Sequence, residues 1–272
     1  MSLEETKQLL RSNRIFPNKL MGQNFMVESS LYPKMCSYAE ISKADVVLDA
    51  GAGFGWLTCF LADKCKSVVA VEKDPHVAMV LREQVKNLDN VVVVEGNVLK
   101  AALPEFNKVV AIPPYYISSH LILWLLARKV DFAVMILQRE FAKRLVASCC
   151  SKEYGWLTVI TNQGAVVELQ DSVPKVLFYP QPEVDSVIVS LKSRRTKPFE
   201  VKDHVFFVRM MKWLFTQRNK KLSKAIAPFI KGSFKLSKQD AEKLSLSLPY
   251  SDRRVRELSP TDFGAISNAL PQ

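Results

Sequence analysis

Five short runs rich in β-branched residues recur between positions 45 and 137. They fall at 45–49, 67–72, 91–95, 108–112 and 132–137, and stretches of helical length and period, such as 56–64 and 76–87, lie between them. Parallel strands cannot be joined by a tight turn. Each strand-helix-strand repeat is therefore expected to cross over and lay its helix on a face of one sheet. Two more runs, 157–163 and 184–191, follow each other without a helix of comparable length between them, which predicts an antiparallel pair at one edge. The expected fold class is α/β, a doubly wound, seven-stranded, Rossmann-like sheet followed by a small C-terminal helical domain.

That second domain is read from the change of pattern after Lys197. Segments 203–215, 220–229, 237–246 and 259–270 read as helices, with Ser237 and Ser259 as N-caps and Pro260 at a first helical position. The stretch Ser193-Arg194-Arg195-Thr196-Lys197-Pro198 reads as a linker, dividing the chain into domains of residues 1–194 and 195–272. Charge divides the chain at the same place. Of the net +11, residues 1–194 carry 22 Lys+Arg against 20 Asp+Glu, and residues 195–272 carry 16 against 7. A surface charged only for solubility would spread this excess, so its concentration points to a polyanion. Arg209, Lys212, Arg218, Lys220, Lys221 and Lys224, with Trp213 and Phe215 between them, form one candidate nucleic-acid cluster. Arg253-Arg254-Val255-Arg256 forms a second, and Arg11, Arg14 and Lys19 can extend the surface.

Other classes are disfavoured. No apolar run approaches the roughly 18–20 residues of a membrane helix, and the first residues lack a basic-then-apolar leader, so a cytoplasmic protein is expected. Cys36, Cys59, Cys65, Cys149 and Cys150 show no Cys-x-x-Cys spacing and three histidines are scattered, which predicts reduced thiols and no metal site. A monomer is expected.

A cofactor site is predicted at Val46-Val47-Leu48-Asp49-Ala50-Gly51-Ala52-Gly53-Phe54-Gly55-Trp56, a strand that runs into a glycine loop and a helix. Gly51 and Gly53 allow a tight turn and close approach to a ligand, and Gly55 lets the helix start near the strand. Glu72 ends the next strand, 21 residues after Gly51, where an acid can hold both hydroxyls of a ribose; Lys73 follows it. An acid there is common to nicotinamide and S-adenosylmethionine sites. Asp49 favours the second, because it suits a cationic amino-acid end and would repel a pyrophosphate. Asn97, after the third strand, is positioned to read the adenine of the cofactor.

Several further segments, taken in order, resemble the KsgA-type ribosomal RNA adenine dimethyltransferases, whose relatives include the Erm enzymes. Lys19-Leu20-Met21-Gly22-Gln23-Asn24-Phe25-Met26 is similar to the family element that covers the cofactor with Gln23, Asn24 and Phe25. Ile112-Pro113-Pro114-Tyr115 occupies the family's catalytic loop, and Gln138-Arg139-Glu140-Phe141 resembles the helix after strand five. Phe178-Tyr179-Pro180-Gln181-Pro182-Glu183-Val184-Asp185-Ser186 resembles a Phe-x-Pro-x-Pro-x-Val-x-Ser segment. Phe215-Thr216-Gln217-Arg218 and Arg256-Glu257-Leu258-Ser259 resemble parts of the helical domain. The resemblance covers nearly the whole chain. It implies a domain of residues 1–194 that binds S-adenosylmethionine and catalyses transfer, and an RNA-binding domain of residues 195–272. It also implies methylation of adenine N6 in small-subunit ribosomal RNA, free or in a pre-assembled subunit, during ribosome assembly.

Two positions depart from the family pattern. Asn97 stands where the family has Asp, a mild change because an amide oxygen still accepts a hydrogen bond. Ile112 stands where the family's Asn-Leu-Pro-Tyr loop has its Asn. The lone pair of an adenine amino nitrogen is delocalised into the ring, and acceptors aimed at its two N–H bonds favour the pyramidal, nucleophilic form. With Ile112 the acceptors left are backbone carbonyls such as that of Pro113, and losing one preorganised polar contact costs on the order of 10²–10³ in rate. Proximity still contributes, and a second proline stiffens the loop and fixes its carbonyls. Tyr115 can stack on a flipped adenine, with Phe178, by resemblance, closing the other face. Two alternatives stay open: a weakly active or inactive assembly factor of this fold, supported by Ile112, and an Erm-like enzyme acting on large-subunit RNA. A DNA adenine methyltransferase is disfavoured, since its loop usually begins with Asp or Asn.

Overall fold

The computed structural model describes residues 2–18, 21–128 and 130–271. Its first unit comprises Met1–Ala142 and Val167–Ser193. Strands β2 (Val46–Ala50), β3 (Ser67–Glu72), β4 (Val91–Glu95), β5 (Lys108–Ala111) and β6 (Phe132–Gln138) pair in parallel, in the order β4-β3-β2-β5-β6. Strand β9 (Ser186–Ser193) runs antiparallel to β6, from Phe132↔Lys192 to Gln138↔Ser186, and β7 (Ala165–Val173) lies beyond it as the seventh strand. The doubly wound, seven-stranded α/β fold follows from alternation in the sequence. Every residue of β5 and the five central residues of β6 are buried, as expected of strands covered on both faces.

Helices α3 (Trp56–Ala62), α4 (Pro75–Val85) and α5 (Ser118–Leu126) supply crossovers, and α6 (Arg139–Leu145) follows β6. Leu57 and Leu61 of α3 pack with Val47, Val68 and Val110 in one core cluster. Each such side chain contributes about 1.5–3 kcal/mol when buried. Strand order reverses at β2, which has β3 on one side and β5 on the other. Ligands of open α/β sheets bind beyond the strand ends at such a switch point. Outside the sheet, β1 (Phe25–Met26) pairs antiparallel with β8 (Phe178–Tyr179), after α1 (Leu3–Ser12) and ahead of α2 (Tyr32–Tyr38).

The expected strand at 157–163 is instead helix α7 (Trp156–Gly164). Leu157, Thr158, Val159, Ile160, Thr161 and Gln163 are all buried, so no helical period shows, and a short β-branched run cannot be told from a strand. Local bonds decide it. Thr158 Oγ1 accepts from Gly155 N at 3.1 Å, and Thr161 Oγ1 donates to Leu157 O at 2.7 Å. The strand comes next, in β7, a mixed sequence that is buried only at its two ends.

The second unit comprises Lys143–Val166 and Arg194–Gln272, so it takes in residues ahead of the Ser193–Pro198 stretch. Helix α7 packs there with α8 (His204–Phe215) and α11 (Pro260–Ala269), and α9 (Leu222–Phe234) packs with α8 and α10 (Lys238–Ser247). Helix α8 buries Phe207, Met210, Met211 and Leu214, a single apolar stripe, and is capped by Asp203. The segment expected to end at residue 229 runs on to Phe234 through Pro228, because Phe229 and Ile230 are buried on the same face as Ile226. Among the described residues no helix is long and apolar enough to cross a membrane.

Candidate active site

Three loops of the first unit meet at the switch point. The loop after β2 has Gly51 and Gly53 at φ +84° and +57°, conformations that favour glycine. Gly51 N and Ala52 N donate to Val71 O at 2.9 and 3.0 Å, fastening the loop to β3. A Cβ on Gly51 would lie 2.8 Å from Pro114 Cδ, so the two loops close on each other here because residue 51 has no side chain. Gly55 also has positive φ, but a Cβ there would meet Leu81 Cδ1 of α4 at 2.7 Å. It serves helix packing and lies outside the cleft.

Two carboxyl groups face this loop. Glu72 Oε2 accepts from Gly53 N at 3.0 Å, and its Oε1 accepts from Lys73 N and Asp74 N at 2.8 and 2.9 Å. Burial pushes its pKa up despite these three amides. Asp49 is 1% exposed and accepts from Thr58 Oγ1 at 2.7 Å. Burial, opposed by the Thr58 hydrogen bond and reinforced by the Glu72 charge, pushes its pKa up to about 7. A carboxyl so deeply buried with a hydroxyl as its hydrogen-bond donor is matched to a cation.

The loop after β5 carries Ile112-Pro113-Pro114 into a 3₁₀ turn, Tyr115–Ile117. Pro114 O accepts from Ile117 N at 3.1 Å, while the carbonyls of Ile112 and Pro113 precede the turn. The Ile112 side chain packs against the main core cluster and lines the cleft. Tyr115 is half-buried, and its hydroxyl lies 2.7 Å from Oγ of the fully buried Ser186. Burial pushes the Tyr115 phenol up. Phe178, 2% exposed, contributes to the same cleft, beside Tyr115, Ile112 and Glu72.

The third loop is residues 21–25. Gly22, at φ +62°, is approached by Pro114 and Tyr116; Phe25 stacks on Phe54 at 4.3 Å and 8° and packs over Gly53. Gln23 is a tie rod. Its Oε1 accepts from Asn18 N at 2.7 Å, and its Nε2 donates to Asp74 Oδ2 at 2.7 Å. Asp74 meanwhile caps α4 by accepting from His76 N at 3.0 Å. Asn24 lines the cleft and donates to Gly22 O at 3.3 Å. Lys19 and Leu20 of this sequence element lie outside the described residues.

Beside the cleft is a smaller recess with Asn97, Val98, Glu72, Lys73, Tyr116 and Ile117 on its walls. Asn97 Oδ1 accepts from Leu99 N at 3.0 Å, leaving one oxygen lone pair and the NH₂ group for other partners. Lys73 Nζ lies 5.8 Å from the Tyr116 ring. Sequence reasoning missed Asp74 and Tyr116. An Asp-Pro at a helix start signals a cap, so Asp74 had a readable signal, whereas nothing in the sequence marks Tyr116.

In the helical unit, backbone bonds zip the two basic clusters into one edge. Leu222 N donates to Arg253 O at 2.7 Å, Val255 N to Lys220 O at 3.1 Å and Arg256 N to Arg218 O at 3.0 Å, and Lys221 and Arg254 form a bridge. Several of these cations also brace the unit. Arg218 donates to Ser151 O and Lys152 O at 2.7 and 2.8 Å, Arg253 pairs with Asp262 at 3.3 Å, and Arg254 donates to Asn219 O. Lys220 donates to Gln217 at 2.8 Å, Lys212 lies over Trp156 at 5.1 Å, and Arg209 and Lys221 are exposed. The interleaved aromatics are tied to the unit's own residues, although Trp213 stays 38% exposed. Trp213 Nε1 donates to Ala225 O at 2.9 Å, and Phe215 packs between Tyr154 and Phe263.

The sequence model of the family described as "Ribosomal RNA adenine dimethylase" matches residues 17–248. A "Probable ribosomal RNA small subunit methyltransferase A" of Methanosarcina mazei is 37% identical over 250 residues, covering 91% of each chain. Its namesake from Thermococcus kodakarensis is 36% identical over 258 residues, 94% of this chain and 91% of its own. Among solved structures, a dimethyladenosine transferase from Plasmodium falciparum superposes with TM-score 0.75 at 24% identity, over 89% of this chain and 95% of that one. The 23S rRNA methyltransferase ErmE superposes with TM-score 0.64 at 28% identity, over 92% and 100%.

Proposed function

The chain belongs to the ribosomal RNA adenine dimethylase family, and from that premise we propose that it methylates the N6 amino group of adenine in small-subunit ribosomal RNA during ribosome assembly, with S-adenosylmethionine as donor. The observation that carries the reading is the meeting of the β2 and β5 loops, Gly51 against Pro114, over a cleft bordered by the Glu72 carboxyl, with the buried Asp49 carboxyl on an adjoining recess that shares Gly51, Gly53 and Ile112. S-adenosylmethionine, when bound, supplies an electrophilic methyl group on a sulfonium.

The residues present fit that group. Asp49 would hold its cationic amino end, and Glu72, oriented by three amides, would take a ribose hydroxyl with the lone pair left on Oε2. Asn97 and Lys73, with Tyr116 and Ile117, would receive its adenine. Gly51 and Gly53 admit the ligand close to the backbone, and Gln23, Asn24 and Phe25 cover it. Gly55 acts at one remove, by setting α3 against α4.

On the acceptor side, Tyr115 and Phe178 would hold a flipped base by stacking. The Tyr115 hydroxyl is engaged by Ser186, so its task is to orient the ring. The carbonyls of Pro113 and Ile112 would accept from the two amino N–H bonds and favour the pyramidal nitrogen, with no side-chain acceptor at position 112. Arg209, Lys212 and Lys221 would meet RNA phosphates. Arg218, Lys220, Arg253 and Arg254 would do so with the donors their internal bonds leave over, since a guanidinium has five and an ammonium three. Residues 1–194 would then carry the cofactor site and catalysis and 195–272 the basic RNA surface, in a monomeric cytoplasmic protein.

The test is to incubate the protein with labelled S-adenosylmethionine and unmethylated small ribosomal subunits, then map the product by mass. Label on adenine N6 is expected. Retained binding of cofactor and subunit with no transfer would overturn this reading in favour of an RNA-binding assembly factor.

A further inference from the structure

A second groove lies on the other side of β8 from the cleft. Lys7, Leu10, Arg11 and Arg14 line it from α1 and its C-terminal turn, with Phe16 and Tyr179 beside them. Successive residues of a strand face opposite ways. Phe178 therefore faces the cleft with Tyr115, and Tyr179, its neighbour, faces this groove. Strand β8 therefore contributes one side chain to each depression.

The groove is built for an anion that carries an aromatic face. Its three cations have no carboxylate among the lining residues, and among the described residues Lys7 pairs with Glu4 at 3.2 Å while Arg11 and Arg14 make no ion pair. Lys7 Nζ lies 5.8 Å from the Tyr179 ring, and Phe16 is 86% exposed. The way α1 ends is also informative. Ile15 N donates to Leu10 O at 2.8 Å and Arg14 N to Arg11 O at 3.2 Å, and Leu10 and Ile15 bury together. This is a Schellman ending, whose left-handed position normally takes glycine. Here that position is Arg14, at φ +54°, as Glu40 and Lys235 occupy it after α2 and α9, and in this case the residue lines the groove.

We propose that this groove binds the single-stranded RNA next to the methylated adenine, with phosphates on Arg11 and Arg14 and a base stacked on Phe16 or Tyr179. The assignment rests on the RNA methyltransferase reading above. It adds a subsite for the flanking nucleotides, held by the first unit alone. Cations in the last turn of a helix also complement its dipole, but that role does not call for an exposed aromatic beside them.

The test uses the full chain with a fluorescent RNA hairpin that carries single-stranded flanks around its adenines. Dissociation constants are measured over a range of salt, alongside cofactor affinity and the thermal midpoint. Arg11→Glu combined with Arg14→Glu is expected to weaken RNA binding by about tenfold or more and to lower the salt slope by about two. Phe16→Ala is expected to weaken it about fivefold or more, and all three proteins should keep the same cofactor affinity. Arg14→Gly should melt higher than wild type yet bind the flanked RNA less well, a pairing that a purely structural arginine would not give. Variants that bind flanked RNA as tightly as a wild type that methylates it, with the same salt slope, would overturn the groove and leave the methyltransferase reading standing. Loss of RNA binding in the variants of a wild type that transfers no methyl would keep the groove and overturn the transfer. A wild type that binds no RNA overturns both.

Discussion

The loops after β2 and β5 border the same cleft but are built on different principles. The β2 side depends on side-chain charge: Asp49 is sealed from water with a threonine hydroxyl on it, and Glu72 is aimed by three amides. The β5 side offers backbone carbonyls, two prolines and an aromatic ring clamped by Ser186. One half of the site can therefore be disabled by changing a single charge. The other has no single side chain on which the chemistry depends, and its performance is set by how rigidly the loop is held.

The largest effect is expected at Asp49. Asp49→Asn removes the charge that a cationic ligand end would meet, and breaking such a buried pair costs about 2–5 kcal/mol, so the Kd for S-adenosylmethionine should rise by roughly 10²–10³ in calorimetry. The same variant should be more stable than wild type above pH 7. The folded-state pKa of Asp49 is raised from 3.8 to about 7, so the native state binds more protons than the unfolded state between those values, and stability falls as pH rises through that window. The rise from 3.8 to about 7 corresponds to about 4 kcal/mol at full ionisation, which Asn would recover in part. A variant that bound cofactor normally would break the contrast between the two loops.

A smaller effect follows from the same group. A cation that binds beside Asp49 favours its ionised form, so binding releases a proton below about pH 7. Cofactor affinity measured from pH 5 to 7 should rise by up to about tenfold per unit and then level off. A flat profile would show that Asp49 is ionised before the ligand arrives.

On the β5 side the expected changes are modest. Ser186→Ala removes the hydroxyl that faces Tyr115 at 2.7 Å, leaving a half-buried phenol unpaired at a cost of about 1–3 kcal/mol. The KM for RNA should rise by about five- to tenfold with cofactor affinity unchanged. An equal loss of cofactor affinity would mean that Ser186 supports the whole cleft rather than the acceptor half.

How much of this was legible follows the same division. The β2 loop is local: strand, glycines and helix are contiguous, and Glu72 falls one strand later, so composition and spacing sufficed. The acceptor half is assembled over long separations. Tyr115 meets Ser186 across 71 positions, and Gln23 meets Asp74 across 51. No pattern along the chain could pair them. Helix α7 was hidden for another reason, since burial around nearly its whole circumference erased the period that distinguishes helix from strand. The basic clusters were visible as charge. That their arginines also bond to Ser151, Lys152 and Asn219 carbonyls was not, because a guanidinium that braces a fold has the same sequence signature as one that meets a phosphate.

The most direct measurement is a single-turnover methyl-transfer rate at saturating cofactor and RNA, for wild type and for Ile112→Asn. If backbone carbonyls carry the acceptor chemistry, wild type transfers methyl to adenine N6. The added side-chain acceptor then raises its rate by up to about 10² without changing either dissociation constant. A wild type that transfers nothing, beside an Ile112→Asn variant that does, would contradict the account and make this chain an RNA-binding protein on a methyltransferase fold.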